Sequence, residues 1–366
     1  MKITAVETKR IPIQLNAPFK TALREVHAVE VIRVLLFFDN GIVGIGEAAP
    51  TEVITGDTKE SILKDIETVF APFLLGKKVD AQLLVMDELH ALIQHHTSPK
   101  AAIDIAMHDA LAKAANLPLY RYLGGSANTL TTDYTISVGS QEQMLHDAQA
   151  KVQAGFRSLK IKLGAGTIEE EVAKIRRINE RLAGKIPFRI DANQGWTKEE
   201  AVQILDQWQD IPIEFVEQPV KAHDFAGLSY VTARTTIPIM ADESLFSYED
   251  AKRLIAENCC NYLNIKLMKS GGIKEGQKIY HLAKEHQVPV MVGSMIEGYG
   301  GMAAAAHFAL GMADVQFYDL DVPFMWETQT TSPEMQGILQ LPGSLRVTER
   351  IGLGTVSYTH LTLPTN

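Results

Sequence analysis

The chain opens with apolar and polar positions alternating in short runs. "KITAVETKRIPI", "VEVIRVLLFF" and "GIVGIGEAA" read as three strands, and "FFDNGIVG" supplies turn residues for a hairpin between the second and third. Helical spacing takes over near Thr58. The segment "TSPKAAIDIAMHDALAKAANLPLY" begins with Ser98 as the expected N-cap and Pro99 at the first helical position. Strands followed by a group of helices predict an α+β unit over residues 1–125.

From about residue 130 the rhythm becomes apolar strand, turn and amphipathic helix, repeated. The expected strand ends fall at Thr135, Lys162, Asp191, Glu217, Asp242, Lys266, Gly293 and Asp319, one every 24 to 29 residues. Eight strands at so even a period predict a β/α barrel rather than a doubly wound sheet. Six of the eight ends are charged, and barrel enzymes carry their chemistry at the C-terminal ends of their strands. One charged end is a solvated loop, whereas six in register point to a site. No further helix and strand follow Asp319, so the barrel is expected over 126–322, with 323–366 turn-rich and packing back on the first unit. The final "SYTHLTLPTN" fits no barrel element and reads as an edge strand or a tail foreign to the fold.

Composition acts mainly by exclusion. Of 366 residues, 46% are hydrophobic and 22% charged, which supports a substantial core and excludes a disordered chain. A net charge of −9 without a basic stripe argues against nucleic acid or an anionic membrane as partner. No apolar run approaches the roughly 18 residues of a membrane span, and "MKITAVETKRIPI" alternates like a strand rather than a signal peptide. A cytoplasmic protein is expected, and a homo-oligomer stays open. Cys259 and Cys260 are adjacent, so neither a disulfide framework nor a zinc spacing exists, and buried packing at a helix-to-strand turn is the expectation.

Asp191, Glu217 and Asp242 close three consecutive strands, the third to the fifth. Three converging carboxylates repel unless a cation lies among them. An all-oxygen set without His or Cys suits a hard divalent ion, most naturally one Mg²⁺ with positions left for water and substrate. The rival account is a structural ion-pair network with Lys160, Lys162 and Lys266. In "SLKIKLGAG", Lys160 and Lys162 leave the same face of their strand. Lys162 ends the second strand and Lys266 the sixth, which sets them on opposite sides of the barrel mouth with the carboxylates between. That placement suits a carboxylate substrate on the metal with one amine on each face of its α-carbon. A lysine base must be neutral, against an ordinary pKa of about 10.4. The Lys160 ammonium and a nearby divalent cation are expected to lower the pKa of Lys162.

In order and spacing, "KIK" at 160–162, "DANQGW" from Asp191, "VEQP" with Glu217, "ADES" with Asp242 and "NIKLMKSGG" with Lys266 are similar to the enolase superfamily, in particular its muconate lactonizing subgroup. Each motif alone is weak, but the ordered set is specific and spans nearly the whole chain apart from the C-terminal tail. The resemblance implies a (β/α)₇β TIM-type barrel with an N-terminal α+β capping domain. It makes Asp191, Glu217 and Asp242 the Mg²⁺ ligands, Lys162 and Lys266 the acid/base catalysts, and Lys160 a supporting lysine that holds the substrate carboxylate. A lysine at 266 separates the chain from the mandelate racemase subgroup, where a His/Asp pair would serve that face.

Finer features resemble the dipeptide epimerases, above all those acting on Ala-Glu. In "DLD", Asp319 and Asp321 face the same way and suit an α-ammonium group. The resemblance gives them the substrate's free N-terminus, which a succinylated substrate lacks. Arg24, in "PFKTALREV", is suited to the side-chain carboxylate of a C-terminal Glu or Asp. Ile54, in "TEVITGDT", looks like part of the second capping loop, which closes over substrate in the family. Thr135, Ser294, Met295 and Ile296 complete the expected lining, while "GYGG" after Glu297 departs from the family pattern and leaves that side of the pocket open.

The expected activity is therefore Mg²⁺-dependent 1,1-proton transfer at the α-carbon of the C-terminal residue of a dipeptide, best L-Ala-L-Glu and L-Ala-D-Glu, in murein peptide metabolism. Alternatives on the same scaffold are an N-succinylamino acid racemase, an o-succinylbenzoate synthase or a cycloisomerase. A metal-dependent dipeptide-binding protein is the non-enzymatic alternative, and the intact lysine pair argues against it. Two weaker signals are set aside: "LGAGTIEEE" lacks the third glycine of a dinucleotide loop and reads as a turn, and His90, His95 and His96 read as a solvated helix end.

Overall fold

Alternation along the first segment produces β1 (Ile3–Lys20), β2 (Glu25–Phe38) and β3 (Val43–Ala48), an antiparallel sheet in that order. The computed structural model describes residues 1–21, 24–327 and 337–355, and "SYTHLTLPTN" lies outside them. As expected, the β2–β3 connection is a tight turn, with the Gly41 N–H on the Phe38 carbonyl at 3.0 Å. Helices α1 (Glu52–Thr55), α2 (Lys59–Asp65), α3 (Ala71–Leu74) and α4 (Leu84–Leu92) lead to the long α5 (Thr97–Ala114) and to α6 (Leu119–Tyr122). Thr58 starts α2 with a reciprocal capping box. The start of α5 corrects the expectation for Ser98. The helix begins at Thr97 without a side-chain cap, and the carboxylate of Asp57 accepts the Ser98 N–H at 3.0 Å. A long-range acceptor thus replaces a local one.

A short strand, β4 (Thr129–Thr131), precedes eight parallel strands that neighbour one another in chain order. These are β5 (Tyr134–Ile136), β6 (Leu159–Lys162), β7 (Phe188–Asp191), β8 (Ile213–Glu217), β9 (Ile239–Ala241), β10 (Tyr262–Lys266), β11 (Val290–Gly293) and β12 (Phe317–Asp319). Their connections carry α7 (Gln141–Gln153), α8 (Ile168–Arg181), α9 (Lys198–Asp206), α10 (Phe225–Thr232), α11 (Tyr248–Ala256), the one-turn α12 (Leu267–Ser270) with α13 (Ile273–Glu285), and α14 (Tyr299–Gly311). Among the described residues only a short 3₁₀ turn, Val322–Met325, and no α-helix follows β12, which gives the (β/α)₇β form. None of the described helices is long and apolar enough to cross a membrane.

Period-two alternation sorts the strand residues. Leu159, Ile161, Phe188, Ile190, Leu263 and Ile265 face the surrounding helices in the main core. Phe215, Met240, Met291 and Phe317 point inward and form a separate small core inside the barrel. Arg189 also points inward, with its guanidinium 4.9 Å from the Phe317 ring centre and hydrogen bonds to Asp133 (3.0 Å) and Glu214 (2.7 Å). Above that floor the inward positions are lysines and carboxylates. "LGAG" is a turn, as expected: the N–H groups of Gly164, Ala165 and Gly166 all donate to the Glu171 carboxylate of the helix that follows. Cys259 is buried at the turn before β10.

Two joints tie the first unit to the barrel. Glu47, at the end of β3, is 1% exposed, accepts two hydrogen bonds from Arg33 (2.9 and 2.6 Å), and accepts the Gly300 and Gly301 N–H groups at the start of α14 (2.8 and 3.2 Å). This explains "GYGG": a Cβ at Gly298 would lie 2.6 Å from Glu47 Oε2 and one at Gly300 would lie 2.8 Å from Glu47 Cδ. A hairpin of β13 (Ile338–Leu341) and β14 (Ser344–Val347), not foreseen from the sequence pattern, pairs with β4, and Glu349 beyond it accepts the Tyr120 hydroxyl at 2.8 Å.

The second joint lies between α6 and α14, where the Tyr120 N–H donates to Nδ1 of fully buried His307 at 3.0 Å. Burial pushes the His307 pKa down to about 4. The folded protein therefore keeps this ring neutral where the unfolded chain protonates it near pH 6.5, so stability present above that pH is lost as pH falls toward 4. Between about pH 7.5 and about pH 5, urea unfolding should show wild type losing about 2 kcal/mol more than His307→Gln, which keeps an acceptor but does not titrate. Parallel pH profiles for the two proteins would contradict this.

Candidate active site

The C-terminal ends of the barrel strands surround a cavity. Its lining brings together Thr135, Lys160, Lys162, Asp242, Lys266, Ser294, Met295, Ile296, Asp319 and Asp321 from the barrel, with Arg24 and Ile54 from the first unit. Asp191 and Glu217 lie beneath, fully buried. All the positions singled out from the sequence thus meet at one place. Phe19, Thr21, Thr51, Val53, Asn193 and Val322 join them.

The register puts Lys162 beside Asp191 and Asp191 beside Glu217. Ligand oxygens of Asp191, Glu217 and Asp242 lie within 4.8 Å of one another. Burial and the neighbouring Asp191 charge push the Glu217 carboxyl up to about 8. Glu217 Oε2 and Asp242 Oδ1 lie 2.7 Å from Lys160 Nζ and 2.5 Å from Lys269 Nζ, yet neither receives a hydrogen bond of proper geometry. Three convergent carboxylates with free lone pairs and no soft ligand fit a hard divalent cation.

The lysines are held by these same groups. Lys160 Nζ contacts Asp319 at 2.6 Å, Glu217 at 2.7 Å and Asp191 at 3.1 Å, and Lys162 Nζ meets the same Asp191 oxygen at 2.5 Å. Their shared face is therefore real. Burial alone would lower the pKa of Lys160, but the Asp319, Glu217 and Asp191 charges outweigh it and hold the ammonium well above its ordinary value. Lys266, 2.7 Å from Asp242, is raised in the same way, burial being overcome chiefly by that carboxylate. Carboxylates, rather than lysine–lysine repulsion, thus dominate the titration of Lys160 and Lys266. Gly293 makes room for Lys266, since a Cβ there would lie 3.1 Å from its Cε and 2.8 Å from Asn264 Oδ1.

On the far side, Asp319 is paired with Lys160, and Asp321 accepts the Thr135 N–H at 2.5 Å. Burial and the Asp319 charge push Asp321 up to about 7. Burial also lowers the Arg24 pKa, and among the described residues no carboxylate pairs with its guanidinium.

Several participants were not singled out from the sequence. Lys269, 1% exposed, is 2.5 Å from Asp242 Oδ1 and donates to the carbonyls of Asp242 and Asn264. Asn264 Nδ2 donates to Glu217 Oε1 at 2.7 Å. The Asn193 N–H donates to Asp191 at 2.9 Å and its amide to Glu243 at 3.2 Å. Asp133 anchors Arg189 beneath the cavity. Their one signal was position: most are polar residues within or beside the quoted motifs.

Comparison with known proteins follows the geometry closely. Residues 3–124 match the mandelate racemase / muconate lactonizing enzyme N-terminal domain, and residues 143–357 match the enolase C-terminal domain-like family. An L-Ala-D/L-Glu epimerase of Bacillus subtilis (strain 168) is 42% identical over 358 residues, covering 97% of this chain and 97% of its own. A substrate-liganded structure of the L-Ala-D/L-Glu epimerase from Bacillus subtilis superposes with a TM-score of 0.94 over 97% of this chain and 99% of that one, at 42% identity. A dipeptide epimerase from Enterococcus faecalis V583, complexed with Mg and L-Leu-L-Tyr, gives 0.92 at 37% identity, covering 97% and 99%.

Lys160 compensates three buried carboxylates at once, so its removal strands them. Lys160→Met should lower the unfolding free energy by about 3–5 kcal/mol in urea denaturation. A loss below about 1 kcal/mol would show that the carboxylates do not depend on this cation.

Proposed function

The chain belongs to the mandelate racemase / muconate lactonizing enzyme family of the enolase superfamily, and from that premise we propose that it is a Mg²⁺-dependent dipeptide epimerase. It inverts the α-carbon of the C-terminal residue, with L-Ala-L-Glu and L-Ala-D-Glu as substrates. The observation that carries this reading is the placement of Lys162 and Lys266 at the ends of β6 and β10, in one cavity, with Asp191, Glu217 and Asp242 on or beside the three strand ends between them.

Asp191, Glu217 and Asp242 would hold the cation. When bound it supplies positive charge that weakens the triad's hold on the lysines and offsets the charge gathered on the substrate carboxylate as the α-proton leaves. Lys160, held as an ammonium, orients that carboxylate. One of Lys162 and Lys266, as a neutral amine, takes the α-proton: the C–H bond breaks, its electron pair delocalises from the now planar carbon into the carboxylate, and an N–H bond forms at Nζ. The other lysine, as an ammonium, gives a proton to the opposite face, which inverts the centre. Two bases on opposite faces serve both directions.

Substrate choice rests on the two ends of the cavity. Asp319 and Asp321 suit the free α-ammonium of a dipeptide, which also favours the ionised form of Asp321. An N-succinylated amino acid lacks that cation, which disfavours a succinylamino acid racemase or an o-succinylbenzoate synthase. The Arg24 guanidinium, which no carboxylate pairs among the described residues, suits the side-chain carboxylate of a C-terminal Glu. The setting we infer is cytoplasmic, in the recycling of murein peptides, with a small peptide rather than nucleic acid or membrane as partner.

Incubation of L-Ala-L-Glu in D₂O with Mg²⁺ should give deuterium at the α-carbon of the glutamate and accumulation of L-Ala-D-Glu. Lys162→Ala and Lys266→Ala should each abolish epimerisation, and no exchange on any dipeptide of an Ala-Xaa panel would sink the proposal. Arg24→Ala should lower kcat/KM at least about ten-fold for acidic C-terminal residues while sparing apolar ones. An equal loss across the panel would remove Arg24 from specificity.

A further inference from the structure

We propose that Gln218 is the positioning residue that locks the three ligand-bearing strand ends together and keeps Asp242 within coordination distance of Glu217 and Asp191. The sheet pairs Asp191 with Glu217 but does not hold Asp242. The β8–β9 ladder ends with Glu217 opposite Met240, and β9 stops at Ala241, so Asp242 stands beyond the last ladder pair. Gln218 directly follows Glu217, is fully buried and adopts φ +37°, in the left-handed region that a side-chain-bearing residue rarely occupies. That turn sends its side chain sideways to the end of β9. There Oε1 accepts the N–H groups of Asp242 (2.9 Å) and Ser244 (3.1 Å), which flank Glu243. Nε2 donates to the Val220 carbonyl (3.0 Å) and to Ser244 Oγ (2.8 Å).

The backbone of Gln218 is engaged as well. Its N–H donates to the Met240 carbonyl at 2.9 Å, and its carbonyl accepts the Gln194 N–H at 2.8 Å from the loop that follows Asp191. One residue, next to Glu217, thus bonds to the loop after Asp191 and to Asp242 itself. Its identity is also accounted for. Two N–H groups to be accepted and two acceptors to be satisfied, at this reach and out of water, call for a primary amide: Glu cannot donate and Met can do neither. Three carboxylates that repel one another need such a brace, because Asp242, beyond its strand, would otherwise relax away from Asp191 and Glu217.

This role presupposes the Mg²⁺ reading of the triad, so the test separates the two. Mg²⁺ binding to the full chain is measured by calorimetry for wild type, Gln218→Met, Ser244→Ala and the remote variant His307→Gln. No binding by wild type brings down the metal reading and this role with it. With wild type binding, Gln218→Met should raise the Mg²⁺ Kd about ten-fold or more, Ser244→Ala about three-fold or more, and His307→Gln should leave it unchanged. A folded Gln218→Met with a Kd within about two-fold of wild type, or an equal weakening by His307→Gln, overturns the role while leaving the metal site standing. Should Gln218→Met fail to fold, Ser244→Ala decides: a rise of at least about three-fold supports the brace, and a smaller change overturns it.

Discussion

Lys160 occupies the point on which the barrel mouth depends. Its ammonium lies between 2.6 and 3.1 Å from Asp319, Glu217 and Asp191, at 1% exposure. Charges of this kind are too costly to bury singly, and the lysine and the carboxylates each make the others tolerable. The balance is still uneven. Lys160, Lys162, Lys266 and Lys269 face Asp191, Glu217, Asp242, Glu243, Asp319 and Asp321, all buried. Burial raises Glu217 to about 8 and Glu243 and Asp321 to about 7. An excess of carboxylate is what a divalent cation and a substrate ammonium would offset, so the electrostatic need of the site and its proposed ligands have the same sign.

The scaffold holds this charge cluster by separating its layers. Outward positions of the strands bury aliphatic side chains against helices. Inward positions pass from an aromatic and methionine floor, through Arg189, to the lysines and carboxylates at the strand ends. The first unit closes the mouth with Arg24 and Ile54, and its placement is fixed at α14, where Glu47 caps the helix that follows the Ser294–Ile296 loop.

The legible part of this arrangement was the part with a short period. Alternation and a nearly constant spacing located six of the eight strand ends at their residue and the other two, Thr135 and Asp242, within one residue, because a strand residue's face follows from its neighbours two positions away. What stayed hidden depends on partners distant in sequence. Ser98 has the right composition for an N-cap, yet Asp57 satisfies its N–H from 41 residues away and α5 starts at Thr97, two residues before Pro99. The β13–β14 hairpin takes its meaning from β4, more than 200 residues upstream. "GYGG" looked like a departure until Glu47 came to lie against it. Carboxylates on other strands hold Lys160 and Lys266 above the ordinary lysine value, and distances to other strands cannot be read from one strand alone. Lys269 and Gln218 sat inside recognised motifs, but their bonds cross between strands.

The central claim is that two lysines address opposite faces of one α-carbon. A crystal structure of the protein with Mg²⁺ and L-Ala-L-Glu tests it most directly. The glutamate α-carbon is expected between Lys162 Nζ and Lys266 Nζ, each within about 3.5 Å and on opposite faces, with the ammonium on Asp319 and Asp321. A bound dipeptide with both amines on the same face, or with its α-carbon beyond the reach of either, would contradict it.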